Sequence, residues 1–371
     1  MSKELAHLTR GALAGIKPYV PGKPIEEVER EYGLKDVIKL ASNENPLGPS
    51  PLAVDSLQEA ASRVQLYPDG SCHYLREELA AHLGLEPKNL IIGNGSDEIL
   101  KLVAETFINE GDEAVMANPS FSEYDFCVTL MGGRSIKVPL DADFRHQPEA
   151  MLEAVTPRTK LIFICNPNNP TGTIISGDQI KKMLSQLPDR ALIVFDEAYY
   201  EYVDDPEYLS GMELVKSGWK NVLVLRTFSK IYGLAGLRVG YGMGHEDLIS
   251  WINRAREPFN VNSLAQLAAR AALRDKAHVQ KSRQMNSQEK EYLYGKFKEL
   301  GLPYVPTQAN FIFVDLKTNC REVFRRMLER GVIIRTGDIF GHDTFIRVTI
   351  GTREQNQRFI RTLEEVLKSL R

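Results

Sequence analysis

Residues 192–199 read Leu-Ile-Val-Phe-Asp-Glu-Ala-Tyr, an apolar run that ends directly in an acid. A short, continuous apolar run is typical of a parallel strand that is buried on both faces of a sheet. Similar runs lie at 90–92, 114–116, 136–138, 161–164 and 222–225, with helical stretches between them. This alternation predicts βαβ units, and therefore an α/β fold with a mostly parallel sheet flanked by helices.

Polar residues follow the predicted strands. Asn94, Asn166, Asp196 and residues 227–230 each come after the end of an apolar run. The carboxyl ends of parallel strands lie along one edge of a sheet, and open α/β sheets bind ligands at that edge. The fold itself therefore predicts that these widely separated residues meet in one site.

The size of the chain indicates more than one domain. Its 371 residues exceed what one simple core usually holds. With 43% apolar and 26% charged residues the composition is that of a globular protein and excludes disorder. A net charge of −3 argues against a nucleic-acid or membrane-surface partner.

Patterning along the chain predicts three parts. Residues 1–41 are polar and turn-rich and read as an arm that packs on a small domain. Residues 42–260 carry the sheet pattern of a large domain, and residues 261–371 read as a smaller α+β domain. In the last part, a long or broken helix is predicted at 262–300, strands at 310–314, 332–334 and 345–350, and helices at 321–330 and 353–370.

The cysteines suggest a cytoplasmic location. Cys72, Cys127, Cys165 and Cys320 lack the paired spacing of a zinc site or a disulfide framework. We therefore expect no metal and a reducing compartment. The first ten residues mix charges without an apolar segment, so we expect no signal peptide. No apolar run reaches the roughly 18–20 residues that a membrane helix requires.

Lys230 ends the stretch Thr-Phe-Ser-Lys and is the candidate nucleophile. A lysine forms a Schiff base with a carbonyl compound only if it is partly deprotonated. Exclusion of water and nearby cations lower a lysine pKa, and Arg226 and Arg238 are near in sequence. A surface lysine at a strand end is the alternative, but the Gly-Leu-Arg-Val-Gly stretch at 236–240 favours a functional lysine.

Asp196 ends a fully apolar strand, and a carboxylate in such a place suits a pyridine nitrogen that must stay protonated. A helix N-cap is the alternative. Tyr199 and Asn169 are candidates for hydrogen bonds to a ring oxygen. For these two, a core tyrosine and a plain turn at 169–172 are the alternatives.

A phosphate site is indicated by Gly95, Ser96 and Asp97, which follow a predicted strand and open a helix. Small residues let backbone amides approach a phosphate at a helix N-terminus. The stretch lacks the glycine pattern of a dinucleotide site. Gly95, Ser96 and Asp97 together with Ser229 and Arg238 predict a phosphate-binding site, which we call the phosphate cup. Without Ser229 and Arg238, the stretch would indicate only a capped helix.

Aromatic and cationic residues complete the candidate set. Tyr124 could stack on a cofactor ring or be a buried structural aromatic. Tyr67 lies in a turn outside the sheet pattern. Arg335 and Arg347 come from neighbouring predicted strands, where two guanidinium groups would bind a dianion or form structural salt bridges. An amine, a buried acid, a phenol, an amide and a phosphate cup together are what pyridoxal phosphate needs.

Nearly the whole chain resembles the fold-type-I pyridoxal-phosphate aminotransferases, and within them the histidinol-phosphate aminotransferase family. The motifs that carry this resemblance lie at 16–19, 40–46, 76–77, 93–98, 166–172, 196–199, 227–230, 236–240 and 347–352. The lysine, aspartate and asparagine motifs belong to the superfamily. The first stretch and the closing Arg-Val-Thr-Ile-Gly-Thr point to the narrower family.

The resemblance implies a role for each candidate around the cofactor. Lys230 would carry the Schiff base and move the proton, and Asp196 would pair with the pyridine nitrogen. Asn169 and Tyr199 would hold the ring hydroxyl, and Tyr124 would stack on the ring. The remaining cofactor contacts would surround the phosphate: Gly95, Ser96, Asp97, Ser229, Arg238 and, from the other subunit of a homodimer, Tyr67.

For the substrate, the resemblance implies that Arg335 and Arg347 take its phosphate, helped by Tyr19, and that Asn43 lies in a covering arm. The implied reaction moves an amino group between histidinol phosphate and 2-oxoglutarate, or in reverse between glutamate and imidazole acetol phosphate, in histidine biosynthesis. Alternatives are an aromatic-amino-acid aminotransferase, a threonine-phosphate decarboxylase and, in another class, a cofactor-binding regulatory module without turnover.

Overall fold

A central seven-stranded sheet dominates the computed structural model, which describes residues 7–16, 18 and 22–370. The strands are β1 Ile38–Lys39, β2 Leu90–Gly93, β3 Glu113–Asn118, β4 Arg134–Pro139, β5 Thr159–Cys165, β6 Leu192–Asp196, β7 Val222–Thr227, β8 Gly240–Gly244, β9 Tyr304–Val305, β10 Phe311–Asp315, β11 Val332–Ile333, β12 Arg335–Thr336 and β13 Phe345–Thr349. The α-helices are α1 Ile25–Tyr32, α2 Pro51–Ala60, α3 His73–Leu83, α4 Ser96–Phe107, α5 Ser122–Leu130, α6 Pro148–Glu153, α7 Gly177–Leu184, α8 Gly211–Lys216, α9 Glu246–Ile252, α10 Ser263–Arg274, α11 Lys276–Leu300, α12 Cys320–Leu328 and α13 Arg353–Leu370.

The central sheet has the strand order β2-β8-β7-β6-β5-β3-β4. Strand β8 runs antiparallel to both of its neighbours, and the other pairs are parallel. This confirms the predicted α/β fold with a mostly parallel sheet. All of the apolar runs predicted as strands between residues 90 and 225 are strands, whereas β8 was not predicted.

Both faces of the central sheet are buried. Along β7, Val222 and Val224 belong to the core on one face, and Leu223 and Leu225 belong to the core on the other. Successive side chains of a strand point to opposite faces, so a strand covered by helices on both sides needs apolar residues at every position. This is the physical reason for the uninterrupted apolar runs of the sequence.

The C-terminal part forms a second, smaller unit. Its four-stranded antiparallel sheet has the order β12-β13-β10-β9 and shares a core with α11, α12 and α13. The N-terminal segment joins this unit, because β1 pairs with β11 and Val28 of α1 is buried against Leu328 and Ile333. Helix α1 and strand β1 of the predicted arm therefore pack on the smaller unit, whereas residues 11–15 contact α5 beside the central sheet.

The stretch predicted as a long or broken helix at 262–300 forms two helices, α10 and α11, which are separated at Asp275. The Asp275 carboxylate accepts a hydrogen bond from the His278 backbone amide and so caps α11. Ala265 and Ala268 of α10 lie in the core of the large unit. The division predicted at 260/261 stays a prediction, and we propose α11 as the connection between the units. No helix within the described residues is long and apolar enough to cross a membrane.

Candidate active site

One cavity opens at the carboxyl edge of the central sheet and is closed by the smaller unit. Its walls are Gly22, Ala41, Ser42, Asn43, Ser96, Asp97, Phe121, Cys165, Asn169, Asp196, Ala198, Tyr199, Thr227, Ser229, Lys230, Arg238, Arg335 and Arg347. The space between these atoms, open solvent at its mouth included, is about 810 Å³. Most of the predicted site residues thus lie around one space.

Lys230 follows β7 and places its amine in this cavity. Its Nζ donates to the Ser42 carbonyl oxygen at 3.1 Å and lies 5.6 Å from the ring centroid of Tyr199. Burial lowers the pKa of Lys230 to about 8, and the positive charge of Arg347 adds to this effect. At neutral pH this amine is therefore neutral, and nucleophilic, far more often than a lysine in water.

Asp196 is the last residue of β6 and is 3% exposed. The Tyr124 hydroxyl donates to its Oδ2 at 2.8 Å, and the Ala198 amide donates to its Oδ1 at 3.1 Å. Burial raises the pKa of Asp196 to about 6, against the opposing effect of these hydrogen bonds. Both of these donors are neutral, so the carboxylate fits a cationic ring nitrogen in the cavity.

The position of Tyr124 corrects its predicted stacking. This residue is 1% exposed and does not line the cavity, and its ring stacks on Phe163 at 4.8 Å. Phe121 stands in the cavity wall instead. The reason is the start of α5, because Phe121 is its N-cap at the edge of the sheet whereas Tyr124 is inside its first turn. We therefore assign the stacking to Phe121 and support of Asp196 to Tyr124.

The predicted phosphate cup is assembled around Arg238. Its Nη1 donates to the Ser229 Oγ at 3.3 Å, and its Nη2 donates to Asp97 Oδ2 at 3.1 Å. Gly95 has a φ of 78°, which favours glycine, and a Cβ there would lie 2.5 Å from Arg238 Nη2 and displace the guanidinium. Ser96 begins α4, which directs a helix N-terminus at the same place. Amides and a cation together suit a phosphate group.

Arg335 and Arg347 lie opposite each other on β12 and β13, and both line the cavity. Arg347 Nη1 donates to Asn169 Oδ1 at 2.5 Å, and its Nη2 donates to the Ala41 carbonyl at 2.6 Å. One guanidinium thus joins the small unit, the Asn-Pro loop of the large unit and the N-terminal segment. Two adjacent cations in the cavity wall fit a doubly charged anion.

Asn43 lies beside Tyr199. Its Nδ2 donates to the Tyr199 hydroxyl at 3.0 Å. The residue adopts a left-handed backbone conformation with φ of 58°, which asparagine tolerates better than most residues. Asn43 thus brings a polar side chain to the cavity wall, and its predicted place in a segment that covers the substrate stays a prediction.

Among the other predicted residues that the structure describes, Gly95 and Tyr67 do not line this cavity either. Tyr67 is 84% exposed and stacks on Phe259 with 4.9 Å between the ring centroids. Tyr67 is therefore not part of the cavity wall of its own chain. Its predicted contribution to the site of a second subunit stays a prediction. Tyr19 lies outside the described residues.

Arg226 has a different environment from the one predicted. It forms a buried ion pair with Glu197 at 2.8 Å, and its guanidinium lies 3.5 Å from the ring centroid of Tyr200. It therefore does not act as the free cation expected beside Lys230, whose pKa responds to Arg347 and Arg238. The sequence offered one sign of this pairing, since an acid next to Asp196 in a buried segment needs a partner.

Comparison with known proteins identifies the family. Residues 35–363 match the model of the family described as aminotransferase class I and II. The chain belongs to this family. Among similar proteins, a histidinol-phosphate aminotransferase of Moorella thermoacetica is 64% identical over 358 residues, covering 96% of this chain and 92% of that protein. Another, of Caldicellulosiruptor saccharolyticus, is 47% identical over 358 residues, covering 96% and 99%.

A solved structure has the same architecture as this aminotransferase. The histidinol-phosphate aminotransferase of Sinorhizobium meliloti in complex with pyridoxal-5′-phosphate superposes with a TM-score of 0.90 at 28% identity, covering 98% of each chain. These comparisons confirm the predicted family and fold. They also agree with the donor set of the cavity, in which the buried acid, the amine and the glycine-lined cup fit the ring nitrogen, aldehyde and phosphate of that cofactor.

Proposed function

We propose that this aminotransferase uses pyridoxal phosphate to move an amino group between histidinol phosphate and 2-oxoglutarate, a step of L-histidine biosynthesis. In the opposite direction the substrates are imidazole acetol phosphate and glutamate. The observation that carries the proposal is one cavity that holds Lys230, Asp196 and the arginine pair Arg335 and Arg347. The names of the relatives support the choice of substrate.

Each part of the cavity has a place in this reaction. When bound, pyridoxal phosphate supplies an aldehyde that takes the amino group and a ring that accepts electrons from the substrate carbon. Lys230 Nζ would take the proton from the substrate Cα and return it to the carbon that was the aldehyde carbon of the cofactor. Asp196 keeps the ring nitrogen protonated, and Arg238 neutralises the cofactor phosphate. Tyr199 and Asn169 orient the ring through its oxygen.

The arginine pair has to serve two half-reactions. Histidinol phosphate brings a phosphate, and glutamate brings carboxylates in its place. A guanidinium group binds either anion through two parallel N–H donors. Arg335 and Arg347 lie on adjacent strands and both line the cavity, so both can face the phosphate of one substrate or a carboxylate of the other.

A panel assay tests the substrate assignment. Purified holoenzyme is given histidinol phosphate, phenylalanine, tyrosine or threonine phosphate, each with 2-oxoglutarate, and glutamate is measured. We expect the highest kcat/KM for histidinol phosphate. A preference for phenylalanine or tyrosine would indicate an aromatic aminotransferase, and carbon dioxide from threonine phosphate would indicate a decarboxylase. Bound cofactor without turnover of any amine would indicate a regulatory module.

Removal of the arginines should weaken substrate binding. We expect Arg335→Ala and Arg347→Ala each to raise the KM for histidinol phosphate about 10- to 100-fold, because charge-assisted hydrogen bonds are lost. The effect of Arg347→Ala should be larger, since this residue also holds Asn169 and the Ala41 carbonyl. Steady-state kinetics with both substrates measures the change.

Arg361→Ala is the matched control, because Arg361 is an exposed arginine of α13 outside the cavity. Its KM values should equal those of the wild type. Unchanged KM values in both cavity variants would place the substrate phosphate elsewhere.

We further propose that the protein acts as a homodimer. Around Tyr67, the apolar residues Val64, Leu66, Tyr74 and Phe259 are also exposed. Exposed aromatic and aliphatic side chains grouped in this way are typical of an interface. A partner that covers them would bring each Tyr67 towards the phosphate cup of the other subunit.

Co-expression of two inactive variants tests this exchange. Lys230→Ala and Tyr67→Ala subunits should form mixed dimers in which one site has both defects and the other has none. With random pairing, about a quarter of the wild-type activity should return. The control pair is Lys230→Ala with Asp196→Ala, which leaves no intact site in any dimer. Activity no higher than in that control would mean that Tyr67 serves its own subunit.

The proposed setting is the cytoplasm, with small molecules as the substrates and neither nucleic acid nor a membrane as a partner. All four cysteines, Cys72, Cys127, Cys165 and Cys320, are free and buried, which suits a reducing compartment. The net charge of −3 likewise gives no general attraction to polyanions.

A further inference from the structure

A chain of hydrogen bonds reaches Tyr199 from the smaller unit. Thr349 is the last residue of β13 and is buried. Its Oγ1 accepts from the Asn43 backbone amide at 2.9 Å and donates to Asn43 Oδ1 at 3.1 Å. The nitrogen of the Asn43 side-chain amide, Nδ2, donates to the Tyr199 hydroxyl at 3.0 Å. Thr349 and Tyr199 are thus joined through the side chain of Asn43, which lies 306 positions from Thr349 in the sequence.

The contacts of Asn43 fix which way its amide faces. Thr349 Oγ1 already accepts one hydrogen bond from the Asn43 backbone and gives its single proton to Oδ1. The NH₂ end of the amide is then turned to Tyr199. Asn310 Nδ2 donates to the Asn43 carbonyl at 2.9 Å and holds the backbone of this left-handed residue. The amide therefore has one defined orientation.

This orientation decides what the Tyr199 hydroxyl can do. An NH₂ group only donates, so the Tyr199 oxygen is the acceptor of this bond. The single phenolic proton has to be donated to another acceptor, and Tyr199 lines the active-site cavity beside Asn169 and Lys230. An oxygen on the cofactor ring is an acceptor of the right kind in that space.

We propose that Thr349 and Asn43 are positioning residues that direct the Tyr199 proton towards the ring oxygen of pyridoxal phosphate. The inference rests on the proposed cofactor-dependent function. A donor at the ring oxygen favours the form of the cofactor in which that oxygen carries more negative charge, which is the form that has lost the proton near Lys230. Thr349 would therefore lower the pH at which this proton leaves.

The test compares Thr349→Val with Thr349→Ser in the holoenzyme, by titrating the visible absorption band of the bound cofactor with pH. Valine has the shape of threonine without the hydroxyl, and serine keeps the hydroxyl. We expect Thr349→Val to raise the midpoint of the titration by about 0.5–1 pH unit, the size of one hydrogen bond. Thr349→Ser should keep the wild-type midpoint. Equal midpoints in all three proteins, or equal shifts in both variants, would overturn the inference.

A double-mutant cycle separates positioning from general loosening of the fold. Tyr199→Phe should raise the midpoint by itself, and adding Thr349→Val to it should raise it no further, because both act through one proton. Additive shifts would contradict the inference. If Thr349→Val does not fold, Asn43→Asp replaces it, since its carboxylate accepts the Tyr199 proton and should also raise the midpoint.

The outcome for the wild type distinguishes this inference from the proposed function. Wild-type protein without a visible absorption band would contradict both the proposed function and this inference. A normal wild-type titration with an unshifted Thr349→Val midpoint would remove only the positioning by Thr349.

Discussion

Lys230→Ala is expected to lower the rate of amino transfer by about 10³-fold or more, because proton transfer by a positioned group alone contributes 10²- to 10⁴-fold. Lys230 contributes an amine to the cavity wall, and burial together with the positive charge of Arg347 lowers the pKa of this amine to about 8. Without it the proposed base for the substrate Cα proton and the proposed covalent link to the cofactor are both lost. Single-turnover and steady-state rates with histidinol phosphate measure the loss.

The matched control is a lysine at the other end of strand β7. Lys220 is exposed and precedes β7, whereas Lys230 follows it, so Lys220→Ala should keep wild-type rates. Borohydride treatment of the holoenzyme should attach the cofactor to the peptide that contains Lys230 and to no peptide of Lys230→Ala. A variant rate within roughly 10-fold of the wild type would contradict the assignment.

The central sheet was predictable because burial on both faces leaves a plain mark in the sequence. Strands β2, β3, β5, β6 and β7 read as apolar runs with polar residues where they end, whereas the edge strand β4 reads Arg-Ser-Ile-Lys-Val-Pro and is partly exposed. The topology of parallel strands then brings Asp196 and Lys230 to the same edge without any knowledge of contacts. For this reason the main catalytic candidates followed from the sequence.

Strand β8 was missed because it reads Gly-Tyr-Gly-Met-Gly. Glycine is a poor strand former and hides the apolar pattern. The structure shows why it is required, since a Cβ on Gly240 would lie 2.5 Å from the Ser96 backbone nitrogen and one on Gly242 would lie 2.9 Å from the Ile91 side chain. Close approach between neighbouring elements is a property of the fold that no local pattern reveals.

The side-chain contacts within the site were less predictable than its location. Tyr124 and Phe121 are one helical turn apart, and the sequence cannot tell which of them faces the cavity. The pairing of Arg226 with Glu197 and the path from Thr349 to Tyr199 depend on how distant segments pack. Such contacts follow from tertiary structure and not from spacing along the chain.

Asp196→Asn is expected to lower the turnover rate by about 10²-fold or more and to weaken cofactor retention, because the charge that holds the ring nitrogen protonated is lost. Asparagine keeps the size of the side chain. Its Oδ1 can still accept from the Ala198 amide, and its NH₂ group would then donate to the Tyr124 oxygen, so the fold should remain. The turnover rate and the Kd of pyridoxal phosphate for the apo-protein are the quantities to measure.

The pH dependence of cofactor binding separates the charge of Asp196 from its packing. Burial raises the pKa of Asp196 to about 6, so its carboxyl gains a proton as the pH falls through that value and binding should weaken. Asp196→Asn should remove this part of the dependence. Asp189→Asn is the control, since Asp189 is exposed and precedes β6 at the opposite end of the same strand. An Asp196→Asn rate within roughly 10-fold of the wild type, with the pH dependence unchanged, would mean that the ring nitrogen does not meet this acid.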